Sequence, residues 1–455
     1  MRPATRIIWK PKQINGFASE FRRLRRTRLR RIYTPASKEG RTSGQIAGGQ
    51  GQGRAMDTET GAEKGTPGEV FATFLKLGLT SFGGPIAHLG YFRDEIVTRR
   101  RWLSDHAYVD LVTLCQFLPG PASSQVGFAL GMMRAGWLGA LAAFTAFTLP
   151  SALALLLFAM TAASFTGPIG AGALEGLKIV AVAIVAQAVL GMARTLCPDR
   201  ERAAIAAGAV VVLAFAPGPL GMVCAILLGA LAGLTLGRGE AAPVGGHVTM
   251  PVSRGQGLAA LLAFFALLTL LPLVADKAPA LDLIDSFYRA GALVFGGGHV
   301  VLPLLQAEVV QPGWVTPGQF LAGYGAAQAV PGPLFTFAAY LGSVRGPAPN
   351  GVVGGALALA AVFLPGFLIL IGVLPFWDRF RAMTPARSLM QGANAAVVGI
   401  LGAALYTPVF TSAIGGMRDF ALALVCFVLL VAWKLAPWAV VVIAALGGIG
   451  LALTG

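Results

Sequence analysis

The chain has 455 residues, 56% of them hydrophobic and 12% charged, with a net charge of +15 and a mean hydropathy of +0.71. Soluble domains carry about 25% charged residues, so this chain is too apolar for one water-soluble core and needs lipid as solvent, where only helices or closed barrels satisfy the backbone. Apolar runs such as 258–274 and 420–433 lack the period-two alternation of barrel strands, so the fold class is an all-α polytopic membrane protein.

Residues 1–67 read as a basic cytoplasmic arm. Residues 1–64 hold 15 Lys+Arg against 5 Asp+Glu, a net of +10 out of +15. The run 21–33 suggests nucleic-acid binding. The favoured reading is a disordered tail obeying the positive-inside rule, with no nucleic acid expected. A third reading takes Met56 as the true start. The arm lacks a signal peptide's apolar core.

Residues 68–238 form a first repeat. A helix over 70–98 is broken at Gly83-Gly84, and short helices over 107–117 and 122–134 meet at Pro119-Gly120-Pro121. Four hydrophobic helices follow near 136–165, 172–193, 202–216 and 218–237. Residues 239–285 are a linker with one transmembrane helix over 257–275. From 286 to 455 the series recurs: 286–310 broken at Gly296-Gly297, 320–329 and 334–343 around Pro331-Gly332-Pro333, then 351–376, 388–407, 420–434 and 438–453. The match is residue by residue. Phe74 and Gly83-Gly84 recur as Phe287 and Gly296-Gly297, and Glu95 as Glu308, at one shift (287 − 74 and 308 − 95 are both 213). Gln116 through Pro121 recurs as Gln328 through Pro333, and Gly176 as Gly392.

The short helices span about half of a ~30 Å hydrocarbon core at 1.5 Å per residue. They are either halves of broken spans, giving thirteen crossings, or re-entrant hairpins, giving nine crossings and four hairpins. Positive charge crowds the first half at Arg93, Arg99, Arg100, Arg101, Arg134, Arg194, Arg200, Arg202 and Arg238. In the second half it moves to the opposite set of loops, at Arg379, Arg381, Arg387 and Lys434. That swap is expected of two inverted-topology repeats, and Arg101 beside a cytoplasmic arm favours re-entry.

Paired helix interruptions at equivalent points are the sequence pointer to a transport site. A half-helix starting at each break aims free N–H groups and a positive dipole end at it, which suits an anion. Ser81, Gln116, Ser123, Ser124, Gln125, Gln328 and Thr336 supply further donors there. The plainer alternative is that the breaks only kink helices for packing.

Lys76 and Arg289 share one repeat position and are candidate counter-charges for an anion; snorkelling to the interface is the competing reading. Glu175 and Lys178 can pair across three residues as a helix staple, or reach substrate. Glu95 and Glu308 are candidate proton carriers, against the plainer reading of surface carboxylates. His299 follows the glycine triplet and can donate to substrate or titrate, or be structurally satisfied; His88, His106 and His247 are scattered. Cys115, Cys197, Cys224 and Cys426 form no metal spacing or disulfide framework. No Walker, GxSxG or HExxH motif occurs, so no cofactor, no metal and no enzyme activity is expected.

The segments Phe74-Leu-Lys-Leu-Gly-Leu-Thr-Ser-Phe-Gly-Gly-Pro85, Phe117-Leu-Pro-Gly-Pro-Ala-Ser123, Gly296-Gly-Gly-His299 and Gln328-Ala-Val-Pro-Gly-Pro333 resemble the chromate ion transporter family in its long, two-domain form, over residues 68–455. The resemblance implies a multi-pass inner-membrane protein that exports chromate, driven by the proton-motive force, and confers chromate resistance. It implies sulfate, an isosteric dianion, as competitor or cargo. It carries functional roles onto Lys76, Gly83, Gly84, Pro119, Gly120, Pro121 and Arg289. A homodimer is compatible with it. A passive anion channel and a membrane-embedded reductase are the competing functions.

Overall fold

The computed structural model describes residues 65–162, 164–165, 167–236, 251–381 and 383–454. The arm at 1–64, Arg238 and His247 lie outside the described residues. Among those described every regular element is helical, as the unbroken apolar runs require.

Each half opens with two hairpins. Helix α1 (Pro67–Thr80) starts at Thr66, whose hydroxyl accepts from the Glu69 N–H, with Pro67 in the first turn. It breaks at 81–83, and α2 (Gly84–Phe92) returns, running on as a π-helical turn over Arg93–Arg99. The return is antiparallel. Phe92 packs edge-on against Phe74 at 5.5 Å, and Arg100 reaches Glu69 at 3.6 Å.

Helix α3 (Asp105–Phe117) is capped by Ser104 and leads through Pro119–Pro121 into α4 (Ala122–Ala162). The first arm of α4 turns back beside α3, bringing Arg134 over the Trp102 ring at 5.1 Å. The chain then reverses at Ala135-Gly136, and Gly131 and Gly139 pack backbone to backbone. The second arm of α4 leads to α5 (Gly167–Leu196), α6 (Arg200–Phe215) and α7 (Pro219–Leu236).

After the linker helix α8 (Arg254–Val274) the pattern recurs. Helices α9 (Pro279–Ala292) and α10 (Val301–Val309) form the third hairpin, and α11 (Pro317–Ala327) and α12 (Phe337–Val344) the fourth. In the fourth, the Tyr340 hydroxyl donates to the Gln319 carbonyl at 3.0 Å and Arg345 lies over Trp314 at 3.9 Å. Helices α13 (Gly351–Val373), α14 (Trp377–Arg381), α15 (Thr384–Ala404), α16 (Thr411–Ala413), α17 (Met417–Val431) and α18 (Pro437–Thr454) complete the chain.

The broken segments thus fold back on themselves as hairpins. Among the described residues seven helices are long and apolar enough to cross a membrane: α4, α5, α7, α8, α13, α15 and α18, three of them with their helical extensions. Helices α6 and α17, of 16 and 15 residues, are shorter. One expected boundary moves. Helix α9 begins at Pro279, behind an extended Ala278, so the boundary read at 285/286 falls inside a helix. Asp282 and Asp285, read as linker, lie on α9 in the turns before Arg289.

Helices α4 and α13, equivalent in the two halves, run in opposite directions where they pack. Phe144 on α4 packs against Phe363 and Phe367 on α13 at 5.0 and 4.9 Å. Further along α4, Leu156 meets Gly355, further back on α13. The halves also interlock by close glycine contacts, the membrane solution to helix packing. Gly176 sits on the Ala444 carbonyl of α18 and Gly392 on the Gly229 carbonyl of α7; a Cβ at either would lie 2.1 or 2.0 Å from that oxygen. Gly392→Leu is therefore expected to force α7 from α15 and to lower the yield of folded protein sharply. Limited proteolysis and detergent size-exclusion profiles check this, with Gly191→Ala, whose added Cβ meets nothing within 4 Å, as the tolerated control.

Candidate functional site

The four hairpin tips meet in a closed ring of contacts. The Gly120 N–H donates to the Val294 carbonyl at 2.8 Å, and the Gly332 N–H donates to the Ser81 carbonyl at 3.0 Å. These bonds are each other's repeat image, so each Pro-Gly-Pro tip is tied to the other half's Gly-Gly break. Pro85 and the Leu334 side chain both pack on Gly298, and His88 just past the first tip lies 3.4 Å from Ser123 just past the second, closing the ring. Gln125, fully buried, donates to the carbonyls of Pro119 at 2.9 Å and Gly366 at 2.8 Å, pinning the first tip to α13.

Pro119, Gly120, Pro121, Ser81, Ser123, Pro333 and Thr336 are buried at these tips, whereas Gly84, Gly296, Gly297, His299, Gln328, Pro331 and Gly332 are half-buried. The expected set separates in places. Gly83 and Gln116 are exposed, unlike their repeat mates Gly296 and Gln328. His88 Nδ1 lies 3.4 Å from the Ser123 hydroxyl, and His299 Nδ1 lies 2.8 Å from the Tyr324 hydroxyl. Thr336 donates to the Pro333 carbonyl.

The Ser81 and Ser124 hydroxyls, the Gln328 amide nitrogen, the Gln125 amide oxygen, the Thr148 hydroxyl and the Asn394 amide oxygen are buried without a hydrogen-bond partner. Buried polar atoms rarely stay unpaired, so the tips offer hydrogen-bonding capacity that the protein itself leaves unused. The half-helices starting at 84, 122, 298 and 334 add first-turn N–H groups. The tip segments carry no Lys, Arg, Asp or Glu, so an anion held there would be met by dipoles alone.

The charged candidates lie elsewhere. Lys76 pairs with Glu95 at 3.0 Å, and Arg289 holds Glu308 by two bonds of 2.9 Å. These are repeat mates, and they cross-link the two legs of the first and third hairpins. Neither glutamate is a surface carboxylate, since both are buried. The signal was present in sequence, because both pairs keep a separation of 19 residues. Glu95 is also held by Arg99 at 2.9 Å and Arg100 at 3.0 Å. Glu175 and Lys178 pair on α5, and Lys178 lies against Gly318 at the start of α11, away from the tips. Its repeat mate Asn394 instead approaches Gly296, a tip contact the repeat alignment did not reveal. At the exposed end of the first hairpins the hydrogen-bonded Arg93 guanidinium holds the Asp105 carboxyl below the usual carboxylate range.

Gln125→Ala would strand two buried carbonyls, at about 1–3 kcal/mol each. It is expected to lower the melting temperature in detergent, whereas Gln116→Ala should leave it unchanged; differential scanning fluorimetry distinguishes them.

The family model described as "Chromate transporter" matches residues 68–234 and again 281–449. The chain belongs to the chromate transporter family. The two matches fall on the two halves described above. Among curated relatives, a chromate transport protein of Pseudomonas aeruginosa is 32% identical over 360 residues, covering 74% of this chain and 79% of that protein. A probable chromate transport protein of Synechococcus elongatus is 26% identical over 403 residues, covering 83% and 93%. An uncharacterised transporter of Methanocaldococcus jannaschii is 27% identical over 340 residues, covering 73% and 82%. No solved structure matches the chain. As a member of this family, with seven membrane-length helices among the described residues, it is a multi-pass membrane protein of a transporter family.

Proposed function

We propose that this chain is a secondary transporter that exports chromate across the inner membrane, driven by the proton-motive force, and so confers chromate resistance. The observation that carries this reading is the ring of four hairpin tips, tied by reciprocal bonds from Gly120 to Val294 and from Gly332 to Ser81. In this reading residues 68–238 and 286–455, the latter extended back to Pro279, are inverted-topology repeats joined by α8, with nine crossings and four re-entrant hairpins. Opposed copies sharing one central site can expose it alternately to either side by rocking one against the other.

The substrate-binding set is Ser81, Ser123, Gln328 and Thr336 with the backbones of Gly83, Gly84, Gly120, Gly296, Gly297 and Gly332. Neutral donors at the ends of helix dipoles suit a tetrahedral dianion. Gln116 and His299 lie at the margin of this set. Lys76 and Arg289 act through their carboxylate partners, bracing the hairpins whose tips form the site. Sulfate presents the same four oxygens and charge and is the expected competitor.

Everted membrane vesicles containing the protein should accumulate labelled chromate when energised, lose it on adding an uncoupler, and take up less in excess sulfate. Flux that ignores the uncoupler would select a passive channel instead. Chromate reduction by the purified protein would select an enzyme.

A further inference from the structure

Between the two legs of the third hairpin one guanidinium serves two carboxylates. Arg289 donates two hydrogen bonds to Glu308 and forms an ion pair with Asp285, all at 2.9 Å, and the carboxylate side chains are only 9% and 6% exposed. The other charges on neighbouring elements do not restore balance; Arg387, on α15 beside α10, donates to the Thr384 hydroxyl at the start of its own helix. Helix α13 has none. Helix α8 has only Arg254, at its far end. Asp276 and Lys277 in the turn after α8 offset each other. Asp282, one turn before Asp285, has the charge of Arg345, which lies over Trp314 and donates to the Pro279 carbonyl. The triad is left with one negative charge in excess.

The first half is built differently at the same place. Ala72 stands where the repeat would put Asp285 (285 − 213), and Glu95 is met by Lys76, Arg99 and Arg100. One half therefore surrounds its carboxylate with cations, and the other gives its cation a surplus carboxylate. Two carboxylates converging on one site cannot both keep their charge cheaply where water is scarce, and carboxylates in such positions mark proton paths. Arg289 keeps 34% side-chain exposure, so the triad is not sealed inside the protein in this conformation.

We propose that Asp285 and Glu308 share one exchangeable proton over Arg289, and that this proton is the coupling ion of the cycle; the inference rests on the transporter reading above. A proton from water adds to a carboxylate oxygen lone pair, forming an O–H and bringing the triad to neutrality. Its return to water restores the negative charge, and Arg289 stays cationic throughout. The neutral form can be closed off from water as the third hairpin rocks, and the charged form must stay wetted. The coupling then resides in one half only, with Asp285 as the residue that creates it.

The test uses purified full-length protein in liposomes. Wild type should accumulate chromate in response to a pH gradient, and a sodium gradient should not replace it. Asp285→Asn, fixed in the neutral form, should keep chromate-for-chromate exchange but lose the pH-driven accumulation and the pH dependence of exchange, while Asp285→Glu should restore both. Infrared difference spectra between acid and alkaline buffer should show a carboxylic C=O band in wild type that Asp285→Asn removes. A pH response in Asp285→Asn equal to wild type, a band that the substitution leaves in place, or accumulation driven by sodium would overturn the proposal. Absence of any chromate exchange in wild type would instead sink the transporter reading, and the infrared band would still report on the proton.

Discussion

Gly120→Val and Gly332→Val should each reduce chromate transport to background, even in protein that reaches the membrane. Both glycines hold left-handed backbone, with φ of +117° and +103°, which costs a β-branched residue on the order of 1–3 kcal/mol. There is also no room. A Cβ on Gly120 would lie 2.9 Å from the Gly366 Cα, and one on Gly332 would lie 2.8 Å from the Ser151 hydroxyl and 3.3 Å from the Phe147 carbonyl. The chain can relieve either clash only by lifting a Pro-Gly-Pro tip away from the opposite half, which breaks its bond to Val294 or Ser81. Because the tips meet by these bonds, both substitutions should damage one shared site and give the same transport defect. Chromate uptake by everted vesicles, normalised to protein content, checks this, with Gly191→Ala as control. A transport-competent Gly120→Val would mean that the tips need not touch.

Arg289→Ala should destabilise the protein far more than Lys76→Ala, although the two residues are repeat mates. Removing Arg289 leaves Glu308 and Asp285, both buried, facing each other without a cation. Breaking a buried pair in this way costs up to about 3–5 kcal/mol. Removing Lys76 leaves Glu95 still bonded to Arg99 and Arg100, and Lys76 is itself half exposed, so the loss should stay within about 1 kcal/mol. Thermal unfolding in one detergent reads the difference directly. Equal losses would show that the surplus carboxylate is not buried as described.

The doubling of the chain and the location of its breaks were legible in the sequence, because glycine, proline and a shift of 213 residues at the Gly-Gly breaks and 212 at the Pro-Gly-Pro breaks are marks read along the chain. The swap of positive loops pointed to opposed copies, and for one equivalent pair, α4 and α13, Phe144 and Leu156 pack in reversed order. Other features were not legible, since they depend on what a side chain meets across the fold. Hairpin and broken span have the same hydropathy. They differ by contacts such as Phe74 on Phe92 and Tyr340 on Gln319, which no local pattern encodes. Asp285 was read as linker, but the helix begins earlier, at Pro279, and places Asp285 one turn before Arg289, with which it pairs. Gln116 and Gln328 looked equivalent, yet one is exposed and the other half-buried. Identical motifs in two copies need not have identical surroundings.

The most direct test of the shared site is equilibrium binding of labelled chromate to purified protein in which Ser81→Ala and Gln328→Leu are combined. Both side chains carry a buried polar atom without a partner at the tips, and each hydrogen bond to a charged ligand contributes about 1.5–3 kcal/mol. The double variant should keep the wild-type melting temperature and bind chromate at least about a hundredfold more weakly. Wild-type affinity in that variant would contradict a chromate site at the meeting of the four tips.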